Sequence, residues 1–248
     1  MPSPLNTWQL MGVILASAIL WMYYVRLKDQ RQPEPRRHLV VAFLLGIVAW
    51  ALSVGVFVAL DALGVDDVKF GEVPWTAFYC FAIIGPLEEG TKALLFCLIV
   101  VRWREFDESM DGFVYAAAIS LGFASMENFY NVPDLHWPEQ LARTAALPLT
   151  HMLFSAIWGF GIGYARFHLP PSFRRTCWQA GSVALAMFVH GLYDFLLFAF
   201  QATFVTSGIA LILWAFVIWR TRTWAGQPVR APANAAQGSS PITAQEEK

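Results

Sequence analysis

The chain of 248 residues is 57% hydrophobic and 14% charged, with 11 Trp and 20 Phe and a mean hydropathy of +0.48, far more apolar than a soluble domain of this size needs to be. Its 17 Lys and Arg against 18 Asp and Glu leave a formal charge of −1, which excludes a basic nucleic-acid surface. Cys80, Cys97 and Cys177 are odd in number and scattered in or near apolar runs, so they argue against a disulfide framework or a cysteine zinc site and read as small core residues.

These priors predict an all-α, polytopic membrane bundle, and the spans can be taken in chain order. Residues 8–25 form the first, which lacks a basic leader and so reads as an uncleaved helix. A Pro-broken loop with Arg26, Lys28, Arg31, Arg36 and Arg37 leads to the second span, 39–60, which is long enough to cross a bilayer. After an acidic loop with Lys69 comes the run 73–101. At about 29 residues, or roughly 43 Å as one straight helix, it must tilt, protrude or break, and Gly85-Pro86 is the expected break.

Residues 111–130, 145–164, 177–200 and 204–219 supply four more spans, about seven in all. Arg and Lys concentrate in the loops after the odd-numbered spans, while the opposite loops hold Lys69 and Arg143. By the positive-inside rule the N-terminus lies outside and the C-terminus in the cytoplasm. Residues 1–224 form one transmembrane domain. Residues 225–248, rich in Ala, Gly, Pro, Gln and Ser, read as a disordered cytoplasmic tail. No internal repeat is visible.

The informative residues are the ionisable ones inside the spans. Glu88, Glu89 and Lys92 sit in an apolar run, where each charge costs roughly 2.5 to 3.5 kcal/mol to insert unless it meets a partner. On a helix one Glu can pair with Lys92 while the other stays free, giving two carboxylates two roles. Asp111-Gly112 opens the fourth span, with Asp111 as an N-cap, and Glu127-Asn128 lies near its outer end. Gly112, Ala116, Ala117, Gly122 and Ala124 are small enough for close helix contact. His151 lies near the start of the fifth span with Ser155 one turn on, and His190 and Asp194 are one turn apart in the sixth. Each has a plain structural reading as well: a helix-bridging His, a capping Glu127-Asn128, a carboxylate that only pairs Lys92.

Taken in order, Glu88-Glu89-x-x-Lys92, Asp111-Gly112 with Gly122-Phe123-Ala124-x-x-Glu127-Asn128, His151, and His190-x-x-x-Asp194 resemble the motifs of the PrsW family of intramembrane proteases, over about residues 74–197. That family is related to the CAAX-prenyl endopeptidases and bacteriocin-processing proteins, whose motifs read Glu-Glu-x-x-x-Arg, Phe-x-x-x-His and His-x-x-x-Asn/Asp. Here Lys92 stands one residue nearer than their Arg, and Glu127 stands where they carry a His, so their assignments transfer only in part.

The resemblance implies hydrolysis of a peptide bond in or near the membrane segment of a single-span protein, with an anti-sigma factor as the implied substrate, in a bacterial inner membrane. In the preferred reading no metal is used: Glu88 activates water, Glu89 pairs with Lys92, His151 and His190 orient the water or the oxyanion, Asp194 orients His190, and Glu127 and Asn128 complete a polar wall. A second reading gathers Glu88, His151 and His190 around zinc with Glu89 as base, although no His-Glu-x-x-His helix is present. A third is a non-catalytic carrier or scaffold, since transporters also bury Glu, Lys and His.

Overall fold

The computed structural model describes residues 5–29, 32–66, 72–133 and 135–225, and these are helical with no strand. Helix α1 (Thr7–Lys28) starts at Asn6, whose side chain accepts from the Gln9 amide while Gln9 reaches back to the Asn6 N–H. This reciprocal cap satisfies amides the helix leaves open. Helix α2 (Arg36–Asp61) follows, then α3 (Val73–Phe78), a π-helical turn (Tyr79–Ile84), α4 (Gly85–Leu98) and a 3₁₀ turn (Val100–Arg102). Helices α5 (Ser109–Asn131), α6 (Trp137–His168), α7 (Phe173–Phe200) and α8 (Thr203–Ala225) complete the chain.

Among the described residues, five helices are long and apolar enough to cross a membrane: α1, α2, α6, α7 and α8. The run 73–101 does not break where the sequence predicts. Phe78 and Gly85 both keep right-handed helical backbone, and the Gly85 N–H donates to the Cys80 carbonyl five residues back. The wider π turn takes up the strain of Pro86, which brings no N–H of its own, and the helical path continues unbroken. Glu88 and Glu89 thus lie on a continuous helix rather than beside a gap.

Helix α5 is the centre of the bundle. It is buried on nearly every side, sheathed by α1, α2 and α6 instead of by solvent or lipid. The small residues named from sequence make this possible: a Cβ on Gly112 would lie 2.2 Å from the Gly159 carbonyl of α6, and one on Gly122 would lie 1.9 Å from the Phe43 carbonyl of α2. Backbones that close leave no room for a side chain, and close approach is what holds helices together where lipid supplies no hydrophobic drive. Stacked Phe113 and Phe160, 4.8 Å apart, fill the same seam.

Several local expectations change. Asp111 is the third helical residue of α5, not its N-cap; Glu108 is the cap, and Asp111 Oδ2 accepts the backbone N–H groups of Asp107 and Glu108 at 2.8 and 2.7 Å. Cys80 is buried as a core residue, but Cys97 and Cys177 are exposed. Lys69 and the tail beyond Ala225 lie outside the described residues.

At the end of the bundle away from Glu127, the α1–α2 connection is tied down by acids. The Tyr115 hydroxyl donates to Glu34 Oε2, and the Glu34 N–H donates to Asp29 Oδ2 at 3.1 Å. Burial outweighs these bonds and pushes the Glu34 carboxyl from 4.5 up to about 7 and the Asp29 carboxyl from 3.8 up to about 6. Both groups hold a proton more tightly folded than unfolded, so their stabilisation is full below the unfolded values and is lost as pH rises through 6 to 7. The thermal midpoint of the purified protein is therefore expected to fall between pH 5 and pH 8, and Glu34→Gln to flatten much of that slope. An equal slope in the variant would contradict this account. A second test is steric: Gly122→Leu is expected to prevent recovery of folded protein from detergent extracts, because α2 and α5 can no longer touch.

Candidate active site

The site begins with the face of α4 that carries Glu88, Glu89 and Lys92. All three are buried, with Glu89 and Lys92 fully inaccessible. The π turn and α4 reach α7 through two glycines: a Cβ on Gly85 would lie 2.2 Å from the Met187 carbonyl, and one on Gly191 would lie 2.6 Å from the Cys80 carbonyl. That contact sets His190 beside the two glutamates.

Glu89 is the most heavily bonded group. Its Oε1 accepts from Lys92 Nζ at 2.9 Å and lies 3.3 Å from His190 Nδ1. Its Oε2 accepts from the Ser155 hydroxyl at 2.7 Å and from the Trp158 indole N–H at 2.9 Å, and Ser155 in turn accepts from Ser120 at 2.5 Å. A buried carboxylate is tolerable only with such partners. Lys92 also rests 3.9 Å above the Phe123 ring, a cation–π contact on its remaining open side.

Glu88 is the contrast. Its Oε2 is buried with no hydrogen-bond partner among the described residues, 3.8 Å from Lys92 Nζ and 3.9 Å from both His151 Nδ1 and His190 Nε2. His151 has a close polar neighbour at each nitrogen: Lys92 Nζ lies 2.9 Å from Nδ1, and Glu127 Oε2 lies 2.9 Å from Nε2. An ammonium can only donate, so Nδ1 is the acceptor and Nε2 carries the hydrogen that faces Glu127. The other Glu127 oxygen is held by Arg143 at 2.9 Å. His190 Nε2 also lies 3.4 Å from Asp194, one turn on, and its ring stacks on Phe154 at 4.6 Å.

A cavity of about 770 Å³ opens over this floor, lined by Glu88, Glu127, His151, His190 and Asp194, with Arg143, Asp61 and Asp66 further out. Its walls are aromatic and aliphatic, among them Trp50, Phe57, Tyr79, Phe154 and Tyr193. The wall residues come from the C-terminal halves of α2, α5 and α7 and the N-terminal half of α6, so the cavity lies toward one end of the bundle.

The structure thus brings together Glu88, Glu89, Lys92, Glu127, His151, His190 and Asp194. It does not add Asn128, which is fully buried away from the cavity wall, its amide atoms without a hydrogen-bond partner among the described residues. Sequence reasoning missed Trp158 and used Arg143 only as a loop charge. A signal for Trp158 was present: His151, Ser155 and Trp158 recur at i, i+4 and i+7, one face of a helix.

The donor set can be tested against a metal. Glu88, His151 and His190 each offer a ligand atom, all within 4.8 Å of one another. Two His and one carboxylate suit zinc, and Glu89 beside His190 Nδ1 is the partner that leaves Nε2 free to ligate. Types and separations fit, but the His151 nitrogen facing Glu88 is the one Lys92 already holds.

Comparison with known proteins agrees with the geometry. Residues 34–220 match the family described as PrsW family intramembrane metalloprotease. The protein named Protease PrsW of Bacillus subtilis (strain 168) is 34% identical over 186 residues, 75% of this chain and 81% of that one. Protease PrsW of Geobacillus kaustophilus (strain HTA426) is 34% identical over 205 residues, covering 82% and 85%. Protease PrsW of Clostridioides difficile (strain 630) is 27% identical over 206 residues, covering 82% and 83%. No solved structure matches. With four separated motifs meeting at one buried floor and family similarity running through all of them, the chain belongs to the PrsW family of intramembrane proteases.

Proposed function

We propose that this protease cuts a peptide bond in or near the membrane segment of a single-span protein, using the cavity floor as its reacting centre and Glu88 as the group that activates water. The observation that carries the reading is the division of labour between neighbouring carboxylates. Every oxygen of Glu89 is engaged, whereas Glu88, which lines the cavity, has a carboxylate whose Oε2 meets no hydrogen-bond partner among the described residues. A general base needs an uncommitted oxygen within reach of the water it deprotonates. Glu89 is therefore the anchor, holding Lys92 and His190, and Glu88 takes the proton and returns it to the leaving amine.

The two imidazoles frame the reacting carbonyl. His190, flanked by Glu89 on Nδ1 and Asp194 on Nε2, is held where it can donate to the oxygen as negative charge develops. His151 is fixed by Glu127, which Arg143 fixes in turn, so its ring cannot swing out of the wall. Lys92 supplies a resident positive charge 3.8 Å from Glu88, and its place on His151 Nδ1 favours a centre that works without a metal.

The second reading is supported by the convergence of three ligand types and by the family's description. Glu88, His151 and His190 would hold zinc, which when bound supplies Lewis-acid polarisation and a more acidic water. In either reading the protein is a multi-pass protein of a bacterial plasma membrane, with the cavity toward the extracytoplasmic side. The aromatic cavity wall suits an extended apolar stretch at the membrane boundary, and the substrate we favour is a single-span regulator such as an anti-sigma factor.

The test is cleavage of a single-span membrane peptide by purified protein in nanodiscs, for wild type and Glu88→Gln, each with and without a tight zinc chelator. Cleavage that survives the chelator and disappears in Glu88→Gln supports the metal-free centre. Loss with chelator, restored by zinc, replaces it with the metalloenzyme. The anchoring role of Glu89 has its own check. Lys92→Met strands a buried carboxylate and is expected to destabilise the protein by about 3 to 5 kcal/mol, while Lys92→Met with Glu89→Gln recovers much of the loss in a thermal melt. A double variant no more stable than the single one would contradict the pairing.

A further inference from the structure

We infer that Trp158 is a positioning residue for peptide hydrolysis: together with Ser155 it locks Glu89 in the one orientation that presents Oε1 to both Lys92 and His190. The inference rests on the proposed reacting centre and extends it from the cavity floor into the α5–α6 seam behind it.

The hydrogen bonds run in one direction. The Ser120 hydroxyl donates to Ser155 at 2.5 Å, Ser155 donates to Glu89 Oε2 at 2.7 Å, and the Trp158 N–H donates to the same oxygen at 2.9 Å. Ser120, Ser155, Trp158 and Glu89 are all wholly buried. Solvent has no access to these side chains, so removing a donor leaves a buried carboxylate oxygen short of a partner. Charge balance alone does not explain the arrangement, because Lys92 already neutralises Glu89 through Oε1. What the second pair of donors adds is direction. With Oε2 clamped from α6, the carboxylate plane cannot rotate, and the Oε1 contacts to Lys92 Nζ at 2.9 Å and His190 Nδ1 at 3.3 Å are held together.

Trp158 also belongs to the main apolar core and packs edge-on against Phe96, ring centroids 5.1 Å apart, and a purely structural role would consist of such packing alone. A phenylalanine keeps most of that packing and removes only the donor. Trp158→Phe and Ser155→Ala therefore probe the clamp, Ser155→Thr restores the hydroxyl, and Phe96→Leu disturbs the same packing without touching Glu89. Each is assayed on the single-span peptide that the wild-type protein cleaves, alongside Glu88→Gln and a thermal melt.

Trp158→Phe and Ser155→Ala are expected to lower kcat about 10- to 100-fold, the usual loss when a supporting partner behind an active group is removed, with KM within about twofold. Ser155→Thr is expected to recover most of kcat, and Phe96→Leu to lower the melting temperature while leaving kcat within about threefold. Unchanged kcat in Trp158→Phe overturns the inference, as does an equal kcat loss in Phe96→Leu at the same loss of melting temperature. Cleavage surviving in Glu88→Gln overturns the reading of the centre itself. An inactive Glu88→Gln beside a fully active Trp158→Phe removes the positioning role alone.

Discussion

Burying the Glu89–Lys92 pair is the constraint on which the rest of the structure depends. Neither group has any solvent exposure, and separating either from the other inside an apolar bundle leaves an uncompensated charge. Each charge therefore recruits its own cage. Lys92 collects Glu89, His151 and the face of Phe123, and Glu89 collects Ser155, Trp158 and His190. These residues come from α4, α5, α6 and α7, so satisfying one ion pair fixes the mutual placement of four helices.

The same satisfaction leaves one neighbour out. A polar network whose members are all bonded is rigid and chemically quiet. Glu88, next in sequence to the anchored carboxylate, receives the electrostatic surroundings of the cage but no hydrogen-bond donor for Oε2. In the proposed mechanism that uncommitted carboxylate does the chemistry, and the rigidity behind it keeps the two imidazoles 3.9 Å from Oε2 rather than collapsed onto it.

Close helix packing makes the cage possible. Gly112, Gly122, Gly85 and Gly191 each stand where a neighbouring backbone leaves no space for a Cβ. Through them α5 touches α6 and α2, and the π turn and α4 touch α7. Hydrogen bonds of 2.5 to 2.9 Å such as those from Ser120, Ser155 and Trp158 require helix axes this near. The π turn before Gly85 belongs to the same economy: it absorbs Pro86 while keeping Glu88 and Glu89 on a helix whose direction α7 can match.

By itself the sequence determined the class of the molecule and most of the ionisable residues that meet at the cavity floor. Apolar runs of bilayer length define helices through a period that needs no tertiary information, and Glu, Lys and His inside them are visible because each is so unfavourable there without a partner. Hence Glu88, Glu89, Lys92, Glu127, His151, His190 and Asp194 were all legible. Only the tertiary structure decided who bonds whom. It gave Glu89 its donors and left Glu88 Oε2 without one among the described residues, turned Arg143 from a loop charge into the partner of Glu127, brought Trp158 in behind the site and left Asn128 out of the cavity. It also replaced the expected break at Gly85-Pro86 with a continuous helix. The reason is physical. Spacing along one helix fixes which face a residue occupies, but hydrogen-bond assignment depends on distances between helices of a few tenths of an ångström, which are set by the glycine contacts and aromatic packing of the whole bundle.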